Sequence, residues 1–490
     1  MEETFEMRAT PATVDWSGVE RVHLMGICGS AMGAFAGMLR TLGFTVKGSD
    51  RGAYPPMSTT LAAQGVEVFE GYNAENLRWE PDVVIVGNVI RPIYDEAIAL
   101  RQGAIPHCSL PQALAALFLS GKTSVVVTGT HGKTTTSSMV AWLLECGGAD
   151  PSFMIGGITG NFGSNNRVAD GGVFVVEGDE YDTAYFDRGP KFLHYRPYFA
   201  AINNIEYDHA DIYPDVAAIE AVFERFAALV DPAGTLVVNH ADPRARRVAE
   251  ACLANVWTFG IAGHGGDDAD VCAESLVEDA SGIRWTLRLP NDERVDVEMS
   301  LAGRHNAENA LVAAALARVA GCSTKDIAAG LASFRLPRKR LELRGSAAQI
   351  DVIDDFAHHP TAIRATLQAV RQRYPDRRLV ALFEAQSNTA RRRVFQQGFG
   401  EALSHADRVW LAKPLEKASD SLAPEARLDV SALVDAIRST DTRCDAIGSI
   451  DALVDAVIAD AQPGKDVIVA MSGRDFDGVH DRLLARLRAI

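Results

Sequence analysis

A chain of 490 residues is too long for one hydrophobic core and predicts roughly two to four domains. Its 48 basic and 64 acidic residues leave a net charge of −16, which argues against a nucleic-acid-binding surface. The seven cysteines are scattered and never spaced as CxxC, so they predict neither a disulfide framework nor a zinc site, and reduced thiols favour a cytoplasmic protein. A signal-peptide pattern and apolar runs of about 18 residues are both absent, so no membrane partner is expected.

Short apolar runs alternate with helical patterns, which is typical of parallel sheets with crossover helices. After an N-terminal extension at 1–19, three such blocks predict three α/β domains in series, at 20–120, 121–337 and 338–490. The first block contains the strand RVHLMG, the helix SAMGAFAGMLRTLG and the strands FTVKGSD, VEVFEG and DVVIVGN. The second contains the strands SVVVTG, GGVFVVEGDE, PYFAAINNIEYDHAD and TLVVNH, predicted hairpins at 264–300, and a helix from about His305 to Ala320. The third contains the strands QIDVIDDFAHHP, RLVALFEAQSN, RVWLAKP and DVIVAMSGRDF.

The first glycine-rich turn, GICGSAMG at 26–33, follows a strand and opens a helix, as a dinucleotide-binding fingerprint does. Asp50 ends the next strand, where such a fingerprint has its acid. Cys28 occupies the place of the second glycine, so a strict GxGxxG is absent. By itself the turn would be a weak indication of an NAD-dependent oxidoreductase, which is kept as a distant alternative.

A second glycine-rich turn, GTHGKTTT at 129–136, follows an apolar strand and precedes a helix. Gly129 and Gly132 let the backbone amides converge on an anion, and the helix dipole adds to the attraction. Lys133 is expected to reach nucleotide phosphates and Thr134 to offer a hydroxyl to Mg²⁺. The general GxxxxGK[ST] template does not fit, because residue 127 is Val, so this loop is shorter.

Acidic residues follow the neighbouring strand GGVFVVEGDE, where a nucleotide site needs a carboxylate for its metal. Glu177 comes first beyond the apolar run. The next strand ends in NNIEYDHAD, which places His209 between Asp208 and Asp211. Because Mg²⁺ prefers oxygen ligands, an imidazole ligand at His209 would be atypical.

Together these motifs resemble a known family. GTHGKTT, EGDEYD, NNIEYDHAD, GRHNAENA and DDFAHHP occur in the order found in the Mur ligases, the ATP-dependent amide-forming enzymes of peptidoglycan assembly. The resemblance runs from about residue 20 over nearly the whole chain. It implies a Rossmann-like UDP-binding domain, a central P-loop ATPase-type domain with a parallel sheet, and a C-terminal Rossmann-like domain that binds the acceptor peptide.

The resemblance also implies the reaction: ATP phosphorylates a substrate carboxylate, and an amine then attacks the acyl phosphate. Its cofactors would be ATP and Mg²⁺. The implied catalytic residues are Lys133, Glu177, His209, Arg340 and His358, and the implied metal ligands are Thr134, Glu177 and His209. The implied ATP-binding residues are Gly129, Thr130, His131, Gly132, Lys133, Thr134, Thr135, His305, Asn306, Asn309, Arg340 and Asp355.

By the same resemblance the first glycine-rich turn binds the pyrophosphate of a UDP-sugar rather than a dinucleotide. The implied UDP-sugar-binding residues are Gly26, Cys28, Gly29, Ser30, Ala31, Met32, Ser49, Asp50 and Asn88. The implied acceptor-peptide residues are Ser387, Asn388, Thr389 and Arg474. Cys28 is interpreted as a small residue of the turn and not as a nucleophile.

Within the family the chain most resembles the peptidoglycan-recycling branch, which joins UDP-N-acetylmuramate to L-Ala-γ-D-Glu-meso-diaminopimelate. This finer resemblance rests on GICGSAMG, GSDRGAYPPMST, GGITGNF, DEYDTAYFD, KFLHY, RLELRG, DDFAHHPTAI, SNT and MSGRDFDGVH. The alternative is the branch that adds L-alanine to the same nucleotide.

The chain departs from its relatives in two places. Several relatives carry a carbamylated lysine after the DH motif, but no lysine occurs here between Lys191 and Lys325, and Phe223 is taken as the equivalent position. A second metal would then depend on His209 and Glu177. Ala385 and Gln386 stand where the recycling branch usually has Pro-Arg. Because the ATP residues come from two domains, domain closure is also expected.

Overall fold

The computed structural model describes residues 14–52, 57–414 and 422–489. Most of the expected N-terminal extension and the centre of GSDRGAYPPMST lie outside these residues. Three main sheets are present, of five, ten and six strands, and each contains a run of parallel neighbours. No helix in the described ranges combines the length and apolar character needed to cross a membrane.

The first sheet is parallel and has the strand order β3-β2-β1-β4-β5. Its strands are β1 (Arg21–Met25), β2 (Thr45–Asp50), β3 (Glu67–Glu70), β4 (Val83–Val86) and β5 (His107–Ser109), and its helices are α1 (Ser30–Thr41), α2 (Met57–Ala63), α3 (Asp95–Gln102) and α4 (Leu110–Leu114). The order reverses beside β1, so the turn after β1 opens at the point where open α/β sheets bind ligands.

The second sheet has the order β17-β16-β15-β14-β13-β12-β6-β9-β7-β8. Its strands and the separate hairpin β10–β11 are β6 (Thr123–Thr128), β7 (Ser152–Met154), β8 (Asn166–Arg167), β9 (Val173–Glu177), β10 (Asp182–Ala184), β11 (Asp187–Pro190), β12 (Phe199–Ile202), β13 (Thr235–Asn239), β14 (Asn255–Ile261), β15 (Val271–Asp279), β16 (Gly282–Arg288) and β17 (Arg294–Met299). The helices are α5 (Lys133–Cys146), α6 (Val216–Ala227), α7 (Pro243–Ala249), α8 (Arg304–Val319) and α9 (Thr324–Ser333).

Strand β6 lies between β9 and β12, and all three are parallel. The loop at 129–132, Glu177 and the loop at 203–211 therefore leave the same edge of the sheet side by side. The predicted hairpins at 264–300 are present as the antiparallel strands β15, β16 and β17, which extend the sheet on one side.

The third sheet has the order β18-β19-β23-β20-β21-β22, with β18 the antiparallel edge strand. Its strands are β18 (Glu342–Ala347), β19 (Ile350–Asp355), β20 (Arg378–Glu384), β21 (Arg408–Ala412), β22 (Arg443–Ile447) and β23 (Asp466–Ser472). Its helices are α10 (Pro360–Arg373), α11 (Gln396–Leu403), α12 (Val430–Arg438), α13 (Ile450–Asp460) and α14 (Val479–Leu487).

Buried apolar side chains connect the first two sheets more closely than the third. One hydrophobic cluster runs from Val22 through Phe118 to Phe174 and Val248, so it includes residues of both the first and the central sheet. The ring centroids of Phe118 and Phe174 lie 6.4 Å apart. The clusters of the third sheet contain only residues from 341 onward. The predicted domains at 20–120, 121–337 and 338–490 are called the first, central and third units below. The third unit therefore has a core of its own.

Candidate active site

The loop between β6 and α5 is shaped by two glycines with left-handed backbone angles. Gly129 has φ = 126° and Gly132 has φ = 82°, and a Cβ at Gly132 would lie 2.4 Å from Asn309 Oδ1. Another residue type would be strained there and would displace the side chain of α8. Asn204 supports the loop from the next strand, because its Oδ1 accepts a hydrogen bond from His131 N at 2.8 Å. The phosphate-binding loop predicted from the sequence thus leads directly into the N-terminus of α5.

Lys133 is the first residue of α5, and its ammonium group turns back over the loop. It donates to Gly129 O at 2.8 Å and to both carboxylate oxygens of Glu180, at 3.0 and 2.9 Å. Burial alone would lower the pKa of Lys133, but the nearby acids Glu180, Asp179 and Glu177 together outweigh it and raise that pKa. The lysine is therefore a buried cation held at the floor of the cavity.

His209 contacts the same carboxylate from the other side. Its Nε2 lies 3.2 Å from Glu180 Oε1. Burial opposes the charged imidazole, but the hydrogen bond to Glu180 raises the pKa of His209 to about 9. Two cations thus share Glu180. This residue is one of the acids that follow Glu177 in the motif EGDEYD, and it was not predicted as a site residue.

Thr134 and Glu177 form an oxygen-lined corner next to Lys133. Thr134 Oγ1 donates to Glu177 Oε1 at 2.9 Å, and Gly156 N donates to Glu177 Oε2 at 2.7 Å. Burial and the nearby Asp179 raise the pKa of Glu177. A buried carboxylate next to another acid and a hydroxyl has the donor set that Mg²⁺ prefers. Thr134 and Glu177 therefore fit the predicted cation, whereas the imidazole of His209 is directed at Glu180.

A second buried ion pair borders this corner and was not predicted. Lys191 Nζ lies 2.9 Å from Asp179 Oδ2 and 4.2 Å from the ring centroid of Tyr181. Asp179 and Tyr181 belong to the motif EGDEYD, and this motif could have indicated both as site residues. The pairing with Lys191 depends on the β10–β11 hairpin and could not be predicted from spacing.

A cavity of about 460 Å³ shares part of its lining with a smaller one of about 150 Å³. Of the residues described above, the larger cavity is lined by Lys133, Thr134, Glu177, Asp179, Tyr181 and His209. The smaller cavity lies against α8 and is lined by the predicted nucleotide-side residues Thr135, His305, Asn306 and Asn309. Glu308, which was not predicted, also lines it. Burial raises the pKa of Glu308 to about 7. The motif GRHNAENA could have indicated Glu308, because this acid lies between two asparagines of the motif.

The third unit closes the opposite wall of both cavities. Arg340 lines both of them, and its guanidinium carbon lies 4.9 Å from the ring centroid of Phe356. His358 lines the larger cavity, its Nδ1 lies 2.9 Å from Phe356 O, and burial lowers its pKa. Asp355 reaches the smaller cavity, but its carboxylate accepts from Leu341 N and Ala357 N within its own unit. Asp355 therefore positions the loop that carries His358.

Three side chains meet where the central and third units touch. His131 Nε2 lies 3.4 Å from Glu206 Oε2, and His359 Nδ1 lies 3.6 Å from the same oxygen. Burial opposes ionisation of Glu206, but the hydrogen bond with His131 helps to lower the pKa of Glu206 to about 2. Burial lowers the pKa of His359 to about 4. Glu206 and His359 were not predicted as site residues, although both lie inside quoted motifs.

The first glycine-rich turn lies at the end of β1, far along the chain from these cavities. Gly26 has φ = 84°, and Cys28 N donates to Asp50 Oδ2 at 2.8 Å. Burial, with the charge of Asp50, raises the pKa of Cys28 to about 11, so the thiol is a poor nucleophile. The structure thus brings the turn and Asp50 together, with Ser49 buried beside them. Of the other predicted residues, Gly29 precedes α1, Ser30, Ala31 and Met32 begin it, and Asn88 is exposed after β4.

The predicted acceptor-peptide residues divide into two groups. Ser387 lines the larger cavity, and Arg474 is exposed close to it. Asn388 instead donates to Asp211 Oδ2 at 2.8 Å, and Thr389 Oγ1 accepts from Ala210 N at 3.2 Å. These two residues hold the third unit against the central one. Their assignment as peptide-binding residues stays a prediction, and in this structure their polar atoms take part in the inter-unit contact.

Phe223 is also placed differently from the expectation. It is fully buried on α6, its ring centroid lies 5.6 Å from that of Phe192, and it does not line either cavity. Its equivalence to the position of the carbamylated lysine stays a prediction, and in this chain the side chain at that position packs in the apolar core.

Three family descriptions match successive parts of the chain: "Mur ligase family, catalytic domain" at 21–121, "Mur ligase middle domain" at 127–317 and "Mur ligase, glutamate ligase domain" at 339–474. Among curated proteins, the UDP-N-acetylmuramate–L-alanyl-γ-D-glutamyl-meso-2,6-diaminoheptandioate ligase of Escherichia coli K12 is 39% identical over 95% of this chain and 97% of its own length. A UDP-N-acetylmuramate–L-alanine ligase of Mycolicibacterium vanbaalenii is 36% identical over 96% of this chain and 97% of its own length.

Among solved structures, the murein peptide ligase of Psychrobacter arcticus 273-4 is 33% identical and superposes with a TM-score of 0.73. The alignment covers 96% of this chain and 99% of that protein. The likeness confirms the predicted three-domain α/β architecture.

Proposed function

The chain belongs to the Mur ligase family, and from this premise we propose that it joins UDP-N-acetylmuramate to L-Ala-γ-D-Glu-meso-diaminopimelate in peptidoglycan recycling. The family membership confirms the resemblance seen in the five motifs and identifies the protein as an ATP-dependent ligase. The observation that carries the substrate proposal is the 39% identity, over nearly the whole of both chains, to a ligase named for these substrates.

The chemistry follows from what an amide bond requires. A free carboxylate is a poor acyl donor, and transfer of the γ-phosphoryl group of ATP turns one of its oxygens into a leaving group. The amine of the peptide then attacks the acyl carbon, and the C–O bond breaks as phosphate departs. Most of the catalysis in such a reaction is positioning and charge stabilisation.

The residues of the larger cavity supply that stabilisation in our proposal. Lys133 holds the oxygens of the transferred phosphoryl group, and the amides of Gly132 and of the first turn of α5 hold the remaining phosphates. Arg340 approaches from the third unit and neutralises charge on the opposite side. His358 lines the same cavity and borders the path between the acyl phosphate and the acceptor amine.

A bound Mg²⁺ would neutralise charge on the phosphates and orient them. Thr134 and Glu177 would hold it, since their oxygens already face each other beside the loop. His209 would have to leave Glu180 and lose its proton to act as a ligand. We therefore propose that His209 serves first as the partner of Glu180, which in turn keeps Lys133 in position.

The first unit provides the sugar-nucleotide site in this proposal. The amides after Gly26 face the pyrophosphate, and the region of Ser49 and Asp50 receives the uridine. The smaller cavity receives the adenine of ATP against His305 and Asn306. Each glycine-rich turn thus serves a different phosphate group. A cytoplasmic location is part of the same proposal, and none of the cysteines in the described residues forms a disulfide.

The second candidate is addition of free L-alanine to the same nucleotide. It is favoured by the 36% identity to an L-alanine ligase over a similarly long alignment. The two candidates share every step except the choice of amine, so the acceptor decides between them.

The test is phosphate release from ATP by the purified full chain with UDP-N-acetylmuramate and a panel of amine donors. We expect turnover with the tripeptide L-Ala-γ-D-Glu-meso-diaminopimelate and little with L-alanine. Turnover with L-alanine and none with the tripeptide would support the second candidate instead. A mass spectrum of the product, with one added peptide per nucleotide, identifies the bond formed.

A further inference from the structure

The side chains of His131, Glu206 and His359 form a cluster at the border of the larger cavity and have no chemical role in the steps proposed above. It stands at the junction of the central and third units, where the rings of His131 and His359 have a centroid separation of 4.5 Å. One potential ligand atom from each of the three residues lies within 4.8 Å of the others. The side chains are 18%, 34% and 7% exposed, respectively, so the cluster is shielded but open to solvent on the side of Glu206.

The two separations from Glu206 are close to those around a small four-coordinate metal ion. Zinc binds imidazole nitrogen and carboxylate oxygen at about 2.0–2.2 Å, so neighbouring ligands of a tetrahedral site lie about 3.4 Å apart. Glu206 Oε2 lies 3.4 Å from His131 Nε2 and 3.6 Å from His359 Nδ1. To hold an ion, the three ligand atoms, which lie within 4.8 Å of one another, would draw together, and His359 Nδ1 would release Thr361 N.

Neighbouring groups orient the ligands as outer-shell partners do in metal sites. His359 Nε2 lies 3.2 Å from Tyr207 O, which can only accept, so Nε2 carries the hydrogen. His359 Nδ1 accepts from Thr361 N at 3.3 Å, so Nδ1 is the unprotonated ring nitrogen, and an ion bound there would replace this hydrogen bond. The hydroxyl of Thr361 donates to Glu206 Oε2 at 2.6 Å and fixes that oxygen. Metal-bound histidines commonly donate their second ring nitrogen to a carbonyl in this way.

We propose that His131, Glu206 and His359 form a binding site for Zn²⁺ that bridges the central and third units. Two imidazoles and one carboxylate suit zinc, whereas Mg²⁺ prefers oxygen ligands. The site uses no cysteine, which is why the cysteine spacing did not indicate it. Water would complete the coordination on the exposed side. The site is distinct from Thr134 and Glu177, the corner that fits Mg²⁺.

Binding at this place would affect the whole molecule, because the ligands come from two units. His131 belongs to the loop before α5 and Glu206 follows β12, whereas His359 caps α10. An ion held by all three would fasten the third unit onto the central one. Since release of product requires these walls to separate, we infer that Zn²⁺ inhibits turnover by keeping the cavity closed.

The first test measures zinc binding without any substrate. Zn²⁺ is titrated into the full chain in millimolar Mg²⁺, in competition with a chromogenic zinc indicator. We expect one competing site that weakens roughly tenfold or more in Glu206→Gln and in His359→Gln, and roughly 10- to 100-fold in Thr361→Val, which keeps all three ligands. The matched control is His405→Gln, an exposed histidine of the third unit, and it should bind zinc as the unchanged chain does.

Circular dichroism and thermal melting without metal show whether each variant is folded, and Thr361→Val provides a second variant if a ligand substitution unfolds the chain. Equal zinc affinity in the unchanged chain and the folded variants would overturn the proposal. Anomalous scattering at the zinc edge should give a peak between the three side chains, and a peak only at cysteines or elsewhere would also overturn it. The bridging role predicts that zinc reduces the radius of gyration of the unchanged chain but not of His359→Gln, and no reduction would refute that role. These readouts are independent of which amine donor the enzyme uses.

Discussion

At the scale of single residues, Lys133 already has partners before any nucleotide binds. Glu180 and two carbonyl oxygens of the loop hold its ammonium group, so a bound triphosphate has to share the cation with them. This arrangement holds the ammonium group of Lys133 at the cavity before ATP binds. Less reorganisation is therefore needed when charge develops on the transferred phosphoryl group.

Replacing Lys133 by alanine should remove that stabilisation while leaving the first unit intact. We expect Lys133→Ala to lower kcat by about 10²- to 10³-fold or more, because the loss of one preorganised donor to a developing charge typically lowers kcat by that factor. Steady-state phosphate release measures the loss. Binding of UDP-N-acetylmuramate, followed by calorimetry, should stay unchanged, and a comparable loss of that binding would show that the loop does not act on ATP alone.

Glu308 gives a pH-dependent prediction at the same scale. Because burial raises the pKa of Glu308 to about 7, the folded chain holds this proton more tightly than the unfolded chain. The stabilisation is present below the ordinary glutamate pKa and is lost as the pH rises toward about 7. Glu308→Gln should therefore raise the Tm at pH 8 and change it little at pH 4.5. Glu224→Gln, on an exposed position of α6, is the control and should show no such difference. Equal shifts at both pH values would contradict the assignment.

At the scale of elements, helix α10 and the turn between β15 and β16 form a contact that the sequence did not indicate. Gln372 accepts a hydrogen bond from Gly303 N at 2.7 Å and donates to Asp279 O and Gly282 O at 2.9 and 3.0 Å. Gly303 is the N-cap of α8, the helix that lines the smaller cavity. One side chain thus connects the third unit to both the hairpin and the adenine-side helix.

The contact predicts a specific defect in Gln372→Ala. Three hydrogen bonds are lost, and Gly303 N is left without its partner, which costs about 1–3 kcal/mol. We expect a higher KM for ATP with little change in the binding of the sugar nucleotide. Gln368→Ala, one turn earlier on α10 and exposed, is the matched control. Equal kinetic effects in the two variants would show that the Gln372 contact is not special.

The sequence and the structure agree best where a motif has a fixed place on a strand. The glycine turns, Glu177 and the hairpins at 264–300 follow from alternation and from the ends of parallel strands. The partners of these residues do not follow in this way. Glu180 contacts both Lys133 and His209, and Asn388 contacts Asp211. These contacts depend on how segments that are distant in the sequence meet in space. Local pattern carries no information on such long-range pairs, so those contacts could be found only in the folded chain.

At the scale of the whole molecule, the third unit touches the central one mainly through polar contacts. Asn388, Thr389 and Thr361 contact the loop at 206–211, and Gln372 contacts the hairpin. The first and central units share buried apolar side chains instead. Hydrogen bonds to water can replace the polar contacts with little loss, whereas separating the apolar cluster would expose it.

This difference predicts which boundary opens. Small-angle scattering of the free chain should give a larger radius of gyration than the chain with UDP-N-acetylmuramate, a non-hydrolysable ATP analogue and Mg²⁺, because the third unit moves away when ligands leave. The first and central units should move as one body in both states. Superimposable scattering profiles would refute the closure, and a distance change between labels on the first and central units would refute their joint motion.

The apolar cluster shared by the first two units also bears on how the chain is made. Phe118 packs near Phe174, and the same cluster continues to Phe223 on α6, more than a hundred residues later in the sequence. While the ribosome is still synthesising the central unit, the nascent first unit lacks these partners and exposes apolar surface. We therefore expect its final packing to be completed only after α6 has emerged, so that the first two units fold together and the third folds separately.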